Sequence, residues 1–187
     1  MPEDTNPGFE STQREERLSY FTLPMSLNYQ RNSYKLWEAA LNTYKDPETK
    51  DVFDLKKVVG FSPDFLRAKL VKHKLALQPN KHITTWLTIA QTVSKNWGTF
   101  EQMLEVSDKD FLILKETIQK NFKKGFPYLS GTKIFNYWSF IISTYGQVEL
   151  KNRHFIEVAP DTHVIKGSIV LGIISEDESS KISREEI

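Results

Sequence analysis

Three observations predict an all-α fold. Apolar residues recur at helical spacing along several long segments, and recognisable start signals precede those segments. No stretch reads as a strand with a partner; residues 148–158 have the composition of an extended segment but nothing to pair with.

Taken in order, residues 1–17 are rich in Pro, Gly, Thr and charge and read as a flexible acidic tail. From about Asn28 to Tyr44, the residues Tyr29, Leu36, Trp37, Ala40, Leu41 and Tyr44 mark one helical face, stopped by the Lys45-Asp46-Pro47 turn. A short turn of helix at Asp54–Val59 ends on Gly60. Ser62-Pro63-Asp64 combines an N-cap, a proline at the first helical position and an acid in the first turn, so a helix starts there and runs to about Leu75. The next runs from about Pro79 to Trp97, burying Ile83, Trp86, Leu87, Ala90 and Val93, and closes on Gly98. Thr99-x-x-Gln102 is a capping box for a short helix, and Ser107-x-x-Asp110 opens a longer one that ends at Lys123-Lys124-Gly125. A further helix presents Ile134, Tyr137, Trp138, Ile141, Ile142 and Tyr145 on one face. The body is thus expected over 18–175, with 176–187 an acidic tail or the truncated start of another helix signalled by Ser183-Arg184-Glu185-Glu186.

Chemistry concentrates in residues 126–168. Lys133 opens one helical segment and Asp161 directly precedes another, so each falls at a helix N-terminus, where backbone N–H groups are unpaired and the dipole is positive. Asp161 is a natural N-cap, and that position favours its ionised form. A cation is disfavoured at such an end, and a neutral lysine amine is a nucleophile that forms Schiff bases with carbonyl carbons.

The pattern Gly131-Thr132-Lys133, an amphipathic helix, then Asp161-Thr162-His163-Val164 resembles the helix-hairpin-helix DNA glycosylase superfamily. The continuation Ile165-Lys166-Gly167-Ser168-Ile169-Val170-Leu171-Gly172 is most similar to the archaeal-type 8-oxoguanine glycosylase/lyases, which share a long interval between the two residues, here 28 positions. The match covers about a quarter of the chain. Only Gly131 stands where the family hairpin has two glycines, and Pro160 adjoins the aspartate where the family's proline lies two positions before it. The resemblance implies a helix-hairpin-helix glycosylase-like helical domain, of one lobe or of two with a cleft between them. It assigns Lys133 as the nucleophile at the sugar C1′ and Asp161 as its assisting carboxylate. Tyr137, one turn after the lysine, matches an aromatic that stacks on the flipped base, with core packing the equal alternative. Lys123, Lys124, Gly131 and the backbone N–H groups of the 125–133 turn are the expected phosphate contacts.

Composition bounds this reading. The chain has 187 residues, 39% of them hydrophobic, and no cysteine, which excludes a disulfide framework, a thiolate zinc site and an iron–sulfur cluster. His73, His82, His154 and His163 lack metal-ligand spacing and read as surface or packing residues, and the four tryptophans read as core. The absence of a signal peptide or long apolar run suggests an intracellular protein, cytoplasmic or nucleoid-associated, with no membrane contact. The net charge of +1 averages −3 in residues 1–17, −3 in 176–187 and +7 between them, a basic body suited to a polyanion. The run Arg67, Lys69, Lys72, Lys74 and Lys81 reads as a solvated face. The expected function is a monomeric base-excision glycosylase with lyase activity on damaged duplex DNA, needing no cofactor or metal. The alternatives are a monofunctional glycosylase in which Asp161 activates water, and a non-catalytic helical module that binds DNA or protein.

Overall fold

The computed structural model describes residues 5–29, 31–157 and 162–180, the side chains of Thr162 and His163 excepted. Its described part is all-α: ten α-helices and no strand. The helices are α1 (Arg14–Thr22), α2 (Ser33–Lys45), α3 (Leu55–Val58), α4 (Pro63–Lys72), α5 (Pro79–Asn96), α6 (Phe100–Val106), α7 (Phe111–Glu116), α8 (Thr132–Thr144), α9 (Thr162–Val170) and α10 (Glu176–Ser180).

Local signals explain most of these boundaries. The side chains of Asn32, Asp54, Ser62, Thr99 and Asp110 accept from backbone N–H groups of the first turns they precede. Ser62 and Thr99 therefore act as the sequence indicates. Ser107 does not open α7: its hydroxyl donates to Met103 O at the end of α6, and the carboxylate of Asp110 is the cap instead. Burial works against ionising Asp110, yet bonds from Ile113 N, Asn152 and Leu112 N hold its carboxyl below the usual range. At the far end, Ser175 and Glu178 form a reciprocal capping box at the start of α10. The Ser183 signal lies outside the described residues.

The expected tail boundary is corrected by α1. Residues 14–17 are its first turn, and Arg17 through Thr22 are all buried. A helix buried on every side has no apolar stripe to betray it, which is why periodicity passes over it. Its charged residues are occupied. Glu15 accepts from the N–H groups of Phe100 and Glu101 at 3.0 and 2.8 Å, capping α6 from outside, and Arg14 pairs with Glu101 at 3.1 Å. Burial pushes the Glu15 carboxyl up, and those two backbone donors oppose the rise. Phe9, further into the supposed tail, packs edge-on against Tyr20 and Tyr44.

The core is one continuous apolar cluster. Tyr20, Phe21, Trp37, Phe53 and Trp86 form its centre, and truncating a fully buried ring of this kind costs about 3–5 kcal/mol. The indole N–H groups of Trp86 and Trp138 are satisfied by Val52 O and the Thr22 hydroxyl, tying α5 and α8 into the body. Trp37, Trp86 and Trp138 are core residues as expected.

After α8 the chain returns along α7. Lys151 makes a single parallel bridge with Asp110, and Asn152, in the left-handed region at φ 56°, turns the chain into a 3-10 turn at Arg153–Phe155. The segment expected to be extended is therefore pinned at one point rather than paired along its length.

Candidate functional site

The site begins with the turn between α7 and α8. Beyond Glu116 the helix widens into a π-helical turn, Thr117–Asn121, closed by a bond from Phe122 N to Thr117 O at 2.8 Å. A 3-10 turn follows at Lys123–Gly125. It rests directly on α5: a Cβ added at Gly125 would lie 2.5 Å from Thr92 Cγ2 and 2.7 Å from Thr92 Oγ1. Only glycine permits that approach. Behind it, Trp97 packs edge-on against Phe122 with ring centroids 4.7 Å apart, and Phe126 is fully buried.

This packing leaves an open groove of about 680 Å³ between the polar face of α5 and the irregular turn. From α5 come Thr88, Gln91, Thr92, Lys95 and Asn96, spaced to share one helix face. From the turn come Lys120, Asn121, Phe122, Lys123, Lys124 and Gly125. The lining holds four lysines and no carboxylate. Lys120 pairs with Glu116 at 3.6 Å on the exposed rim. Lys95, Lys123 and Lys124 make no ion pair among the described residues. A second, smaller cavity of about 210 Å³ contrasts with it: Arg14 there pairs with Glu101, and Lys109 with Glu105.

The chain then enters a compact turn. Ser130 N bonds to Phe126 O, Gly131 N to Tyr128 O, and Leu129 N to Pro127 O. These three amides are engaged inside the turn. Tyr128 is held at φ 60°, a left-handed conformation costing about 1–2 kcal/mol, and its ring stacks on the half-exposed Tyr29 at 5.3 Å. Gly131 is the N-cap of α8 in an ordinary extended conformation; it contributes no side-chain cap.

Lys133 lies in the first turn of α8, as the sequence predicts, and is exposed there. Tyr137, one turn on, is partly buried and packs against the core. Asp161 lies outside the described residues, but α9 begins at Thr162, immediately after it. One contact draws that end of the chain towards Lys133. Asn136, buried on α8 one turn beyond the lysine, accepts a 3.0 Å bond from Glu157 N and donates to Thr132 O. Glu157 is therefore fixed beside the first turn of α8, and Asp161 is four positions further on, a contour of at most about 14 Å. The paired Lys133–Asp161 geometry itself falls outside the described residues.

Lys123 and Lys124, singled out in the sequence as phosphate candidates, line the groove, whereas Lys95, Lys120, Asn121, Gly125 and Asn136 were not foreseen. A polar residue on the apolar face of α8 was the available signal for Asn136; Lys95 gives none, since only the fold brings α5 to the turn. Among the described residues no group of three or more His, Asp or Glu side chains could hold a metal, and no helix is long and apolar enough to cross a membrane. Compared with known families, curated proteins and solved structures, the chain matches none.

Proposed function

We propose that this chain is a base-excision DNA glycosylase with associated lyase activity, carried by Lys133 and Asp161 in a helix-hairpin-helix setting with a cleft between two lobes. The observation that supports the reading is the Asn136–Glu157 bond, which ties the chain to α8 four positions before Asp161. The carboxylate-free groove beside the same turn supports a polyanionic partner.

The damaged nucleotide is flipped from the stack, because its C1′–N bond is inaccessible within the duplex. Asp161, at its helix end, offsets the positive charge developing on the sugar and accepts a proton from the lysine ammonium. The Lys133 amine bonds to C1′, and the base leaves with the electron pair of the glycosidic bond. Ring opening gives a protonated Schiff base. Loss of a C2′ proton then expels the 3′ phosphate and nicks the strand. The sequence resemblance points to 8-oxoguanine as the base.

Borohydride trapping on duplex oligonucleotides bearing 8-oxoguanine, uracil or an alkylated base tests this. The wild-type chain should form a covalent adduct with one of them, and Lys133→Gln should abolish the adduct while still binding the duplex. Asp161→Asn should slow base release by roughly 100- to 1,000-fold, as loss of such electrostatic stabilisation typically does. Base release without any adduct identifies the water mechanism. Absence of both leaves a non-catalytic module and overturns the proposal.

A further inference from the structure

We propose that the groove between the polar face of α5 and the 117–125 turn is a binding track for one phosphodiester strand, held by Lys95, Lys120, Lys123 and Lys124. This deepens the functional reading and rests on its nucleic-acid partner, but it assigns a surface that the Lys133 motif does not contain.

Four features carry it. The first is charge without compensation: four lysines line about 680 Å³ of open groove, no acid lines it, and among the described residues only Lys120 has an ion-pair partner, exposed on the rim. Cations gathered in a concave, carboxylate-free surface raise the local concentration of anions and release counterions when a strand binds. The second is how the groove is made. The α-helical ladder is interrupted by a π turn, which adds a residue to the turn and places Lys120 and Asn121 on the groove side. The third is the Gly125–Thr92 approach, closer than any other residue would allow, which fixes Lys123 and Lys124 against α5. The fourth is the uncharged lining. Gln91, Asn96 and Asn121 each offer donors and acceptors, as base edges and sugar oxygens require.

An acidic peptide is the competing polyanion. Peptide recognition relies on pockets for side chains or an exposed sheet edge. Here Phe122 is the only large apolar side chain in the lining, its ring is engaged with Trp97, and no strand occurs among the described residues. The chemistry favours a phosphate backbone. The 123–125 wall is joined through the 126–131 turn to α8, which carries Lys133 in its first turn.

The test measures binding of the whole chain to an undamaged labelled oligonucleotide, single-stranded and as duplex, and to an oligoglutamate peptide, across a salt series. Lys95→Glu with Lys123→Glu should lower the salt slope for nucleic acid by about two and weaken binding at least tenfold at moderate salt. Lys35→Glu with Lys45→Glu, on α2 and outside the groove, gives the same net charge and should leave the slope unchanged. Lys95→Gln with Lys123→Gln removes the charges without reversing them, and should lower the slope in the same direction if the reversed variant does not fold. The larger loss on single strand or on duplex identifies which one supplies the track. Equal weakening by the α2 reversals overturns the proposal, because net charge alone then explains binding. Binding of oligoglutamate but not oligonucleotide, lost with the groove reversals, overturns it in favour of a peptide. The two readings separate by trapping: groove-dependent binding without any adduct sinks the enzyme and keeps the track. Trapping with binding unaltered in the groove variant does the reverse.

Discussion

Two lysine-rich surfaces of this molecule have opposite fates. On α4, Lys69 reaches Asp51 at 2.9 Å, and Lys72 reaches Asp46 and Glu48 at 2.8 and 2.6 Å, while His73 bonds to Asp46 at 2.7 Å. Those cations latch the helix to the segment that follows α2. The run expected to be a solvated face is therefore, at Lys69 and Lys72, a structural fastening. Around the groove, Lys95, Lys123 and Lys124 share the lining with hydroxyls and amides and, among the described residues, have no carboxylate to hold. A cluster of lysines in a sequence says nothing about which case applies. The decision rests on whether the fold delivers acids opposite them, and acids reach α4 only because Asp46, Glu48 and Asp51 lie in a loop folded back against it.

The comparison is broken most directly by destroying the groove's shape rather than its charge. Gly125→Ala would force the turn off α5, since the new Cβ would meet Thr92 at 2.5 Å. Overpacking of this kind costs about 1–3 kcal/mol, and displacement of Lys123 and Lys124 should remove most nucleic-acid affinity. Thr92→Ala in the same chain deletes the two atoms that clash and should restore both. Chemical denaturation and binding titration on the wild type and the two variants check this. If Gly125→Ala leaves affinity intact, the close approach does not build the site.

This result also shows where the sequence is legible. Caps at Ser62 and Thr99, with the periodicity of α2, α5 and α8, are local, and the fold class follows from them. The α1 helix was hidden because Arg17, Ser19 and Thr22 are buried alongside Leu18 and Tyr20, leaving no stripe. The start of α7 was misplaced because Ser107 and Asp110 are both good caps, and the hydroxyl of Ser107 is engaged with α6. At the candidate site, Lys133 and the start of α9 could be found from the chain alone. The groove could not, for it joins residues 88–96 to 120–125 through a glycine contact that no spacing encodes.

Acid offers a second way to separate the surfaces, because it attacks the carboxylates on which the latched side depends. Bonds from Lys72 and then His73 hold the Asp46 carboxyl well below its usual range. Its contribution is present above the unfolded value of 3.8 and is lost as pH falls below that towards the folded value. His82, packed at the start of α5, behaves differently. Burial, with Arg31 and Lys81 nearby, lowers it from 6.5 to about 4. The unfolded chain then binds the extra proton, so stability is full above 6.5 and declines as pH falls towards 4. Discounted for partial solvation, that decline is about 1–2 kcal/mol. Denaturation across pH should show both windows. His82→Asn, which keeps an acceptor for Leu77 N, should flatten the upper one only, and Asp46→Asn the lower one only.

The smallest expected effect sharpens the comparison most finely. Lys72→Ala removes one cation from the latched surface, as Lys124→Ala does from the groove. At Lys72 the partners Asp46 and Glu48 are left without their shared cation, and His73 and the Glu48 N–H remain to hold the Asp46 carboxylate. The midpoint of denaturation should therefore fall slightly, more at low salt than at high, because exposed pairs are screened. The salt slope of nucleic-acid binding should not move. At Lys124 no partner is lost among the described residues, so stability should hold while the slope drops by about one, equally on damaged and undamaged duplex. The two single substitutions change net charge identically, and so any difference between them reports position. If Lys72→Ala lowers the salt slope as much as Lys124→Ala does, the latched and open surfaces are a single interface and the distinction drawn between them is wrong.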